Sequence, residues 1–74
     1  KNKKGAETMR FQIMCDDKTP GRPGFRQFFE TDDLQEAKAF AMQLAFIETN
    51  TVYVQDSAEG RPVMDFDDPK YRKN

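Results

Sequence analysis

Few side chains in this chain could act as a nucleophile, and each lacks the partner that catalysis requires. The 74 residues contain one cysteine (Cys15), one serine (Ser57) and no histidine. A nucleophilic thiol or hydroxyl needs a neighbouring base, and two aspartates directly after Cys15 favour a neutral thiol over the reactive thiolate. Ser57 lies in a segment typical of a turn, without the flanking glycines of a nucleophile elbow. We therefore predict that the protein is not an enzyme and has no catalytic residue.

Clustered carboxylates are the second kind of chemistry that the sequence offers, because they can hold a hard cation. Three clusters occur: Asp16–Asp17, Asp32–Asp33, and the group Asp65, Asp67 and Asp68. None has the alternating ligands and central glycine of an EF-hand loop, and helix capping explains the second cluster. One cysteine without a histidine excludes an intramolecular disulfide and leaves no zinc ligand set. We predict no metal site and no cofactor.

A third possibility combines basic and aromatic side chains into a surface for single-stranded nucleic acid. Strand alternation predicts that one sheet face carries Arg10, Arg26, Phe28 and Tyr53. Aromatic rings that stack on bases beside cationic side chains are typical of small nucleic-acid-binding domains. The net charge of −1 and the lack of a recognisable RNP pattern argue against this function, which we keep as the alternative.

Charge is distributed unevenly along the chain. Residues 30–59 carry Lys38 against seven acidic residues, a net charge of −6, whereas residues 1–29 sum to +4. An acidic region of this kind repels nucleic acid and attracts basic protein surfaces. We expect Glu30, Asp56 and Glu59 to steer a basic partner.

The only predicted helix, over residues 33–47, has two apolar sides. At 100° per residue, one broad arc contains Leu34, Ala37, Phe40, Ala41, Leu44, Ala45 and Ile47, which is sufficient to pack on a sheet. The opposite side contains Ala39, Met42, Gln43 and Phe46, where lysine or glutamate is usual. We predict that these four residues form a protein interface, with either a different protein or a second copy of the chain.

Four strands surround this helix. Alternation and turn residues predict strands over 9–15, 25–31, 51–55 and 61–66, with Asp33 and Glu36 as a capping box and Asn50 as a left-handed helix C-cap. The order β-β-α-β-β predicts an α+β fold in two layers, a four-stranded antiparallel sheet of order 2-1-3-4 with one helix packed on one face. We assign residues 9–66 to this single domain, residues 1–8 to a flexible basic tail and residues 67–74 to a charged C-terminal tail.

These observations favour a small binding protein. No apolar run is long enough to span a membrane and no secretion signal is recognisable, so we expect a cytoplasmic protein. In size and element order the chain is similar to very small regulatory and inhibitory proteins of phages and mobile elements. The leading hypothesis is a non-enzymatic protein-binding module that occupies a surface of its partner or forms a homodimer.

Overall fold

One helix lies across a four-stranded sheet in the computed structural model, which describes residues 9–71. The strands β1 (Phe11–Asp16), β2 (Arg26–Thr31), β3 (Thr51–Asp56) and β4 (Arg61–Pro62) form an antiparallel sheet in the order β2-β1-β3-β4. The helix α1 (Leu34–Ala45) follows β2, and a short 3-10 helix (Pro69–Tyr71) follows β4. This architecture confirms the predicted α+β fold and strand order. The tail predicted over residues 1–8 lies outside the described residues.

The core lies between α1 and the sheet face that it covers. Alternation along β1 directs Phe11, Ile13 and Cys15 to this face, and all three are buried. The other buried apolar residues are Leu34, Ala37, Ala41, Val54 and Val63. A stacked pair of rings, Phe29 and Phe40 with centroids 4.4 Å apart, extends this packing between β2 and α1. One side of α1 thus packs on the sheet through Leu34, Ala37 and Ala41, whereas Ala45 at its end is exposed.

A β-bulge in β2 changes which residues of that strand share a face. Phe29 lies opposite Ile13, but Gln27 lies opposite Met14, so Phe28 is an extra residue. Residues directly opposite each other project to the same face. Gln27 therefore shares the open face with Met14, whereas Arg26, opposite Cys15, lies on the helix side. The predicted alternation is wrong in this half of β2, because it assumes one residue of β2 for each residue of β1.

Both ends of α1 are capped by side chains. The Asp33 side chain accepts a hydrogen bond from the Gln35 N–H at 2.9 Å, as predicted for an N-cap. The predicted capping box is wrong, because the Asp33 N–H donates to the Thr31 hydroxyl, which in turn donates to the Glu36 carboxylate. At the other end, the Asn50 amide donates to the Leu44 carbonyl at 3.0 Å. The predicted left-handed backbone at Asn50 is wrong, since Lys18 is the one non-glycine residue with positive φ among residues 9–71.

The segment after β3 is more closely packed than the sequence predicts. Pairing continues one residue beyond β4, where the Val63 N–H donates to the Val54 carbonyl at 2.8 Å. The Tyr71 ring then packs edge-to-face on Phe11, with centroids 5.9 Å apart. Residues 67–71 are thus a packed segment and not a tail, because Tyr71 covers an aromatic ring at the edge of the core. The last three residues of the predicted tail lie outside the described part of the chain.

Candidate protein-binding site

The exposed side of α1 carries an uncharged stripe, formed by Ala39, Met42, Gln43 and Phe46 and here called the α1 stripe. These four residues line one shallow groove on the surface of the helix. The Phe46 side chain is 90% exposed and Met42 is 62% exposed. Spacings of three and four residues place all four on neighbouring turns of the helix. The structure therefore brings together the four residues that the sequence predicts as an interface.

Nothing in residues 9–71 covers the α1 stripe. The aromatic residue of the C-terminal segment, Tyr71, packs on Phe11 and does not line the groove of the α1 stripe. Ile47, which the helical pattern assigns to the core side, is 53% exposed because α1 ends at Ala45. The apolar surface near Phe46 is thus larger than the sequence predicts.

Carboxylates precede and follow the helix α1 in the sequence. Asp32, Asp33 and Glu36 surround the start of α1, and Glu48 follows its end. None of these four takes part in the ion pairs described within residues 9–71. The only cationic residue of α1 is Lys38, whose ammonium lies 5.8 Å from the centre of the Phe66 ring. The Asp32 and Asp33 carboxylates accept hydrogen bonds from the Arg10 and Gln35 N–H groups and line a separate pocket, to which Arg10 and Lys70 also contribute.

The structure does not support a surface role for Asp56, one of the three predicted steering residues. The Asp56 side chain is fully buried, and the Arg10 guanidinium binds its two oxygens at 3.0 and 3.1 Å. Its position opposite Phe11 directs it to the helix side of the sheet. The prediction placed Asp56 in an exposed turn, and this placement is wrong because the strand continues through it.

The other two predicted steering residues lie at separate places. The Glu59 carboxylate is 3.8 Å from Arg61 and 3.7 Å from Lys70, which neutralise it. Glu30 is half-buried in β2.

Only two of the four residues of the alternative nucleic-acid surface, Arg26 and Phe28, are brought together. Tyr53 lies opposite Met14 on the open sheet face. Arg26 lies on the helix side, where its guanidinium is 2.7 Å from the Asp17 carboxylate and above the Phe28 ring. The remaining member, Arg10, is held by Asp56. The predicted grouping of these four residues on one face is wrong. Arg26 and Phe28 lie together, but the bulge places Arg26 on the opposite side of the sheet from Tyr53, and the ion pair with Asp56 holds Arg10 elsewhere.

The remaining candidates for chemistry have structural roles. The Ser57 hydroxyl donates to the Arg10 carbonyl at 2.8 Å, and Asp65 and Asp68 accept hydrogen bonds from backbone N–H groups of their own turns. Within residues 9–71, no three carboxylate or cysteine side chains converge to form a metal site. The thiol of Cys15 is buried, which raises its pKa. None of the helices in this part of the chain is long and apolar enough to cross a membrane.

Asp17 gives the fold a specific sensitivity to acid. Hydrogen bonds from the Thr19 hydroxyl and from Arg26 lower the pKa of its carboxyl from 3.8 to about 2. A group with a lowered folded-state pKa stabilises the protein above its unfolded pKa, and that contribution is lost as the pH falls through the folded pKa. We expect Asp17→Asn to reduce the loss of stability between pH 4 and pH 2, measured by urea unfolding at each pH. Equal pH profiles for the two proteins would contradict this role.

Known proteins give no further indication of function. Comparison with family models, curated proteins and solved structures finds no match for this chain. What the chain binds is therefore inferred from the chemistry of its own surface.

Proposed function

We propose that this protein is a non-enzymatic binding module that docks the α1 stripe on another protein. The observation that carries the proposal is the exposure of Phe46 and Met42, at 90% and 62%, on a helix whose other side already forms the core. Burying such a side chain contributes about 1.5–3 kcal/mol. Aromatic residues and methionine are enriched in protein interfaces. Exposed in this way, the two side chains add little to the fold and are available to a partner.

The size of the site indicates how the module would act. The 12 residues of α1 span about 18 Å at 1.5 Å per residue. A helix of this length can contact one helix or one groove of a partner. By occupying that surface, the module would inhibit or regulate the partner. A small regulator or inhibitor of phage or mobile-element type, acting in the cytoplasm, is the function that we propose.

Selection from a displayed library of helical peptides tests this proposal even while the natural partner is unidentified. The complete protein is the target, and enriched peptides are synthesised and their affinities measured by fluorescence anisotropy. Phe46→Asp and Met42→Asp place a charge within the α1 stripe, and we expect each to weaken binding at least about tenfold. Both residues are exposed, so circular dichroism should show an unchanged fold.

Met64→Asp is the matched control, because Met64 is 82% exposed but lies outside the α1 stripe. This variant should bind the selected peptides with unchanged affinity. Peptides that bind the folded Phe46→Asp protein as well as the original protein would refute the proposed docking surface.

Nucleic-acid binding remains the alternative function, with weaker support. Its four predicted residues do not share one face, although an aromatic pair is present on the open face, where the Phe25 and Tyr53 rings are 4.9 Å apart. Affinity for a single-stranded oligonucleotide that falls steeply with salt and depends on Tyr53 would favour this alternative over protein binding.

A further inference from the structure

We propose that residues 64–71, here called the C-terminal strap, open and close as a unit over the edge of the core while the sheet and α1 stay folded. The strap is a different part of the molecule from the α1 stripe, and its opening does not depend on the proposed function. Three observations support the proposal: the strap's backbone bonds only to itself, few side chains fasten it, and a cavity lies beneath it.

The backbone of the C-terminal strap is bonded only within the strap. Pairing with the sheet ends at Val63, whose N–H donates to the Val54 carbonyl. Beyond it, the Asp68 N–H donates to the Asp65 carbonyl at 3.2 Å, and the Tyr71 N–H donates to the Asp68 carbonyl at 3.0 Å. The side-chain bonds of these turns also stay within the strap. Among residues 9–71, no described backbone hydrogen bond joins the strap to another element, so its opening would break none.

A small number of side chains fasten the closed strap. The Tyr71 ring packs edge-to-face on Phe11, and its hydroxyl hydrogen-bonds the Asp56 carboxylate. The Phe66 ring is partly buried against the core. An ion pair of Lys70, at 3.7 Å, lies at the surface, where such pairs contribute little. The closed state therefore depends mainly on two aromatic side chains.

A cavity of about 520 Å³ lies between the strap and the rest of the fold. Its strap side is formed by Phe66, Asp67, Lys70 and Tyr71. Phe11 of β1 and Leu34 of α1 are among the residues on the opposite side. The strap thus spans a space instead of packing along its whole length. Segments with few buried apolar contacts are those that open separately from the core of a domain.

Opening would expose apolar side chains that the closed strap shields. Phe11 is 3% exposed and Leu34 is 6% exposed while the strap is closed. Both line the cavity, so removal of its strap side would turn the cavity into an open apolar surface at the start of α1. The strap is therefore a lid that controls access to this surface.

Native-state hydrogen exchange in rising urea, followed by NMR, tests whether the strap opens separately. We expect the Asp68 and Tyr71 amides to be protected relative to an unstructured peptide, but at least about tenfold less than the Ile13 amide of β1. Urea promotes an opening in proportion to the surface that it exposes. Exchange of the strap amides should therefore depend little on urea, whereas exchange of the Ile13 amide should accelerate steeply.

Tyr71→Ala removes the ring that packs on Phe11. We expect a folded protein in which protection of the Asp68 amide falls at least about tenfold, while the amides of β1 and α1 remain protected. Tyr53→Ala is the matched control, because Tyr53 is the chain's other tyrosine and lies on the open sheet face. This variant should leave the exchange of the Asp68 amide unchanged.

Several results would overturn the proposal. The same urea dependence for the strap and β1 amides, or an unfolded Tyr71→Ala protein, would show that the strap and the core form one cooperative unit. Unprotected strap amides in the original protein would show that the strap is not closed. An unchanged Asp68 exchange rate in Tyr71→Ala would show that the Tyr71 ring does not fasten it.

Discussion

Asp56→Ala is expected to lower the free energy of unfolding by about 2–3 kcal/mol, because it removes the charge-assisted hydrogen bonds of a fully buried carboxylate, whereas the Arg10 side chain left behind is 36% exposed and can be hydrated. Asp56 is fully buried and also accepts hydrogen bonds from the Ala58 and Glu59 N–H groups. Burial alone would raise the pKa of its carboxyl, but hydrogen bonds from Arg10 and Tyr71 lower it below the usual value. A domain of this size has a stability of about 3–5 kcal/mol, so the variant should lose about half of its stability or more.

Urea unfolding followed by circular dichroism measures this effect. Asp67→Ala is the control, because Asp67 is an exposed aspartate in the same half of the chain, and its replacement should change stability by less than about 0.5 kcal/mol. An Asp56→Ala protein as stable as the original would show that the Arg10–Asp56 pair is not needed for the fold.

Ile13→Ala is expected to lower the free energy of unfolding by about 2–5 kcal/mol, since it creates a cavity at the centre of the core. Ile13 is completely buried and lies on the central strand β1, between β2 and β3. The chain offers an identical substitution as a control, because its other isoleucine, Ile47, is 53% exposed. Ile47→Ala should cost less than about 1 kcal/mol.

Comparison of the two isoleucine variants removes the effect of the residue type itself. Urea midpoints of both proteins, measured under one buffer condition, give the difference. Similar losses at the two positions would contradict the assignment of the core to the face of β1 that contains Ile13. The comparison requires that both variants unfold in one cooperative transition. An unchanged slope of the free energy of unfolding against urea concentration indicates that this condition is met.

The elements of the fold were predictable because their signals are local. Alternation in β1 depends on a period of two residues, and the amphipathic pattern of α1 depends on a period of 3.6 residues. Turn residues separate these segments, and short connections then favour the observed strand order. The exposed α1 stripe was predictable for the same reason, since one side of the helix is sufficient for the core.

The predictions that the structure contradicts have a common cause. Each concerns a feature that is set by contacts between residues far apart in the sequence. The bulge at Phe28 is set by how β2 pairs with β1, and no residue type in β2 marks it. Burial of Asp56 depends on Arg10, which is 46 residues away in the chain. The packing of Tyr71 on Phe11 likewise joins the two ends of the described segment. A sequence of charged residues around Tyr71 resembles a solvated tail until this contact is known.

The two edges of the sheet are poorly suited to the addition of another strand. β2 at one edge is interrupted by the bulge, and β4 at the other edge has only two residues, of which Pro62 has no backbone N–H. An incoming strand would meet few consecutive donors and acceptors on either side. The backbone thus opposes growth into amyloid-type fibrils, and this protection does not depend on what covers the helix.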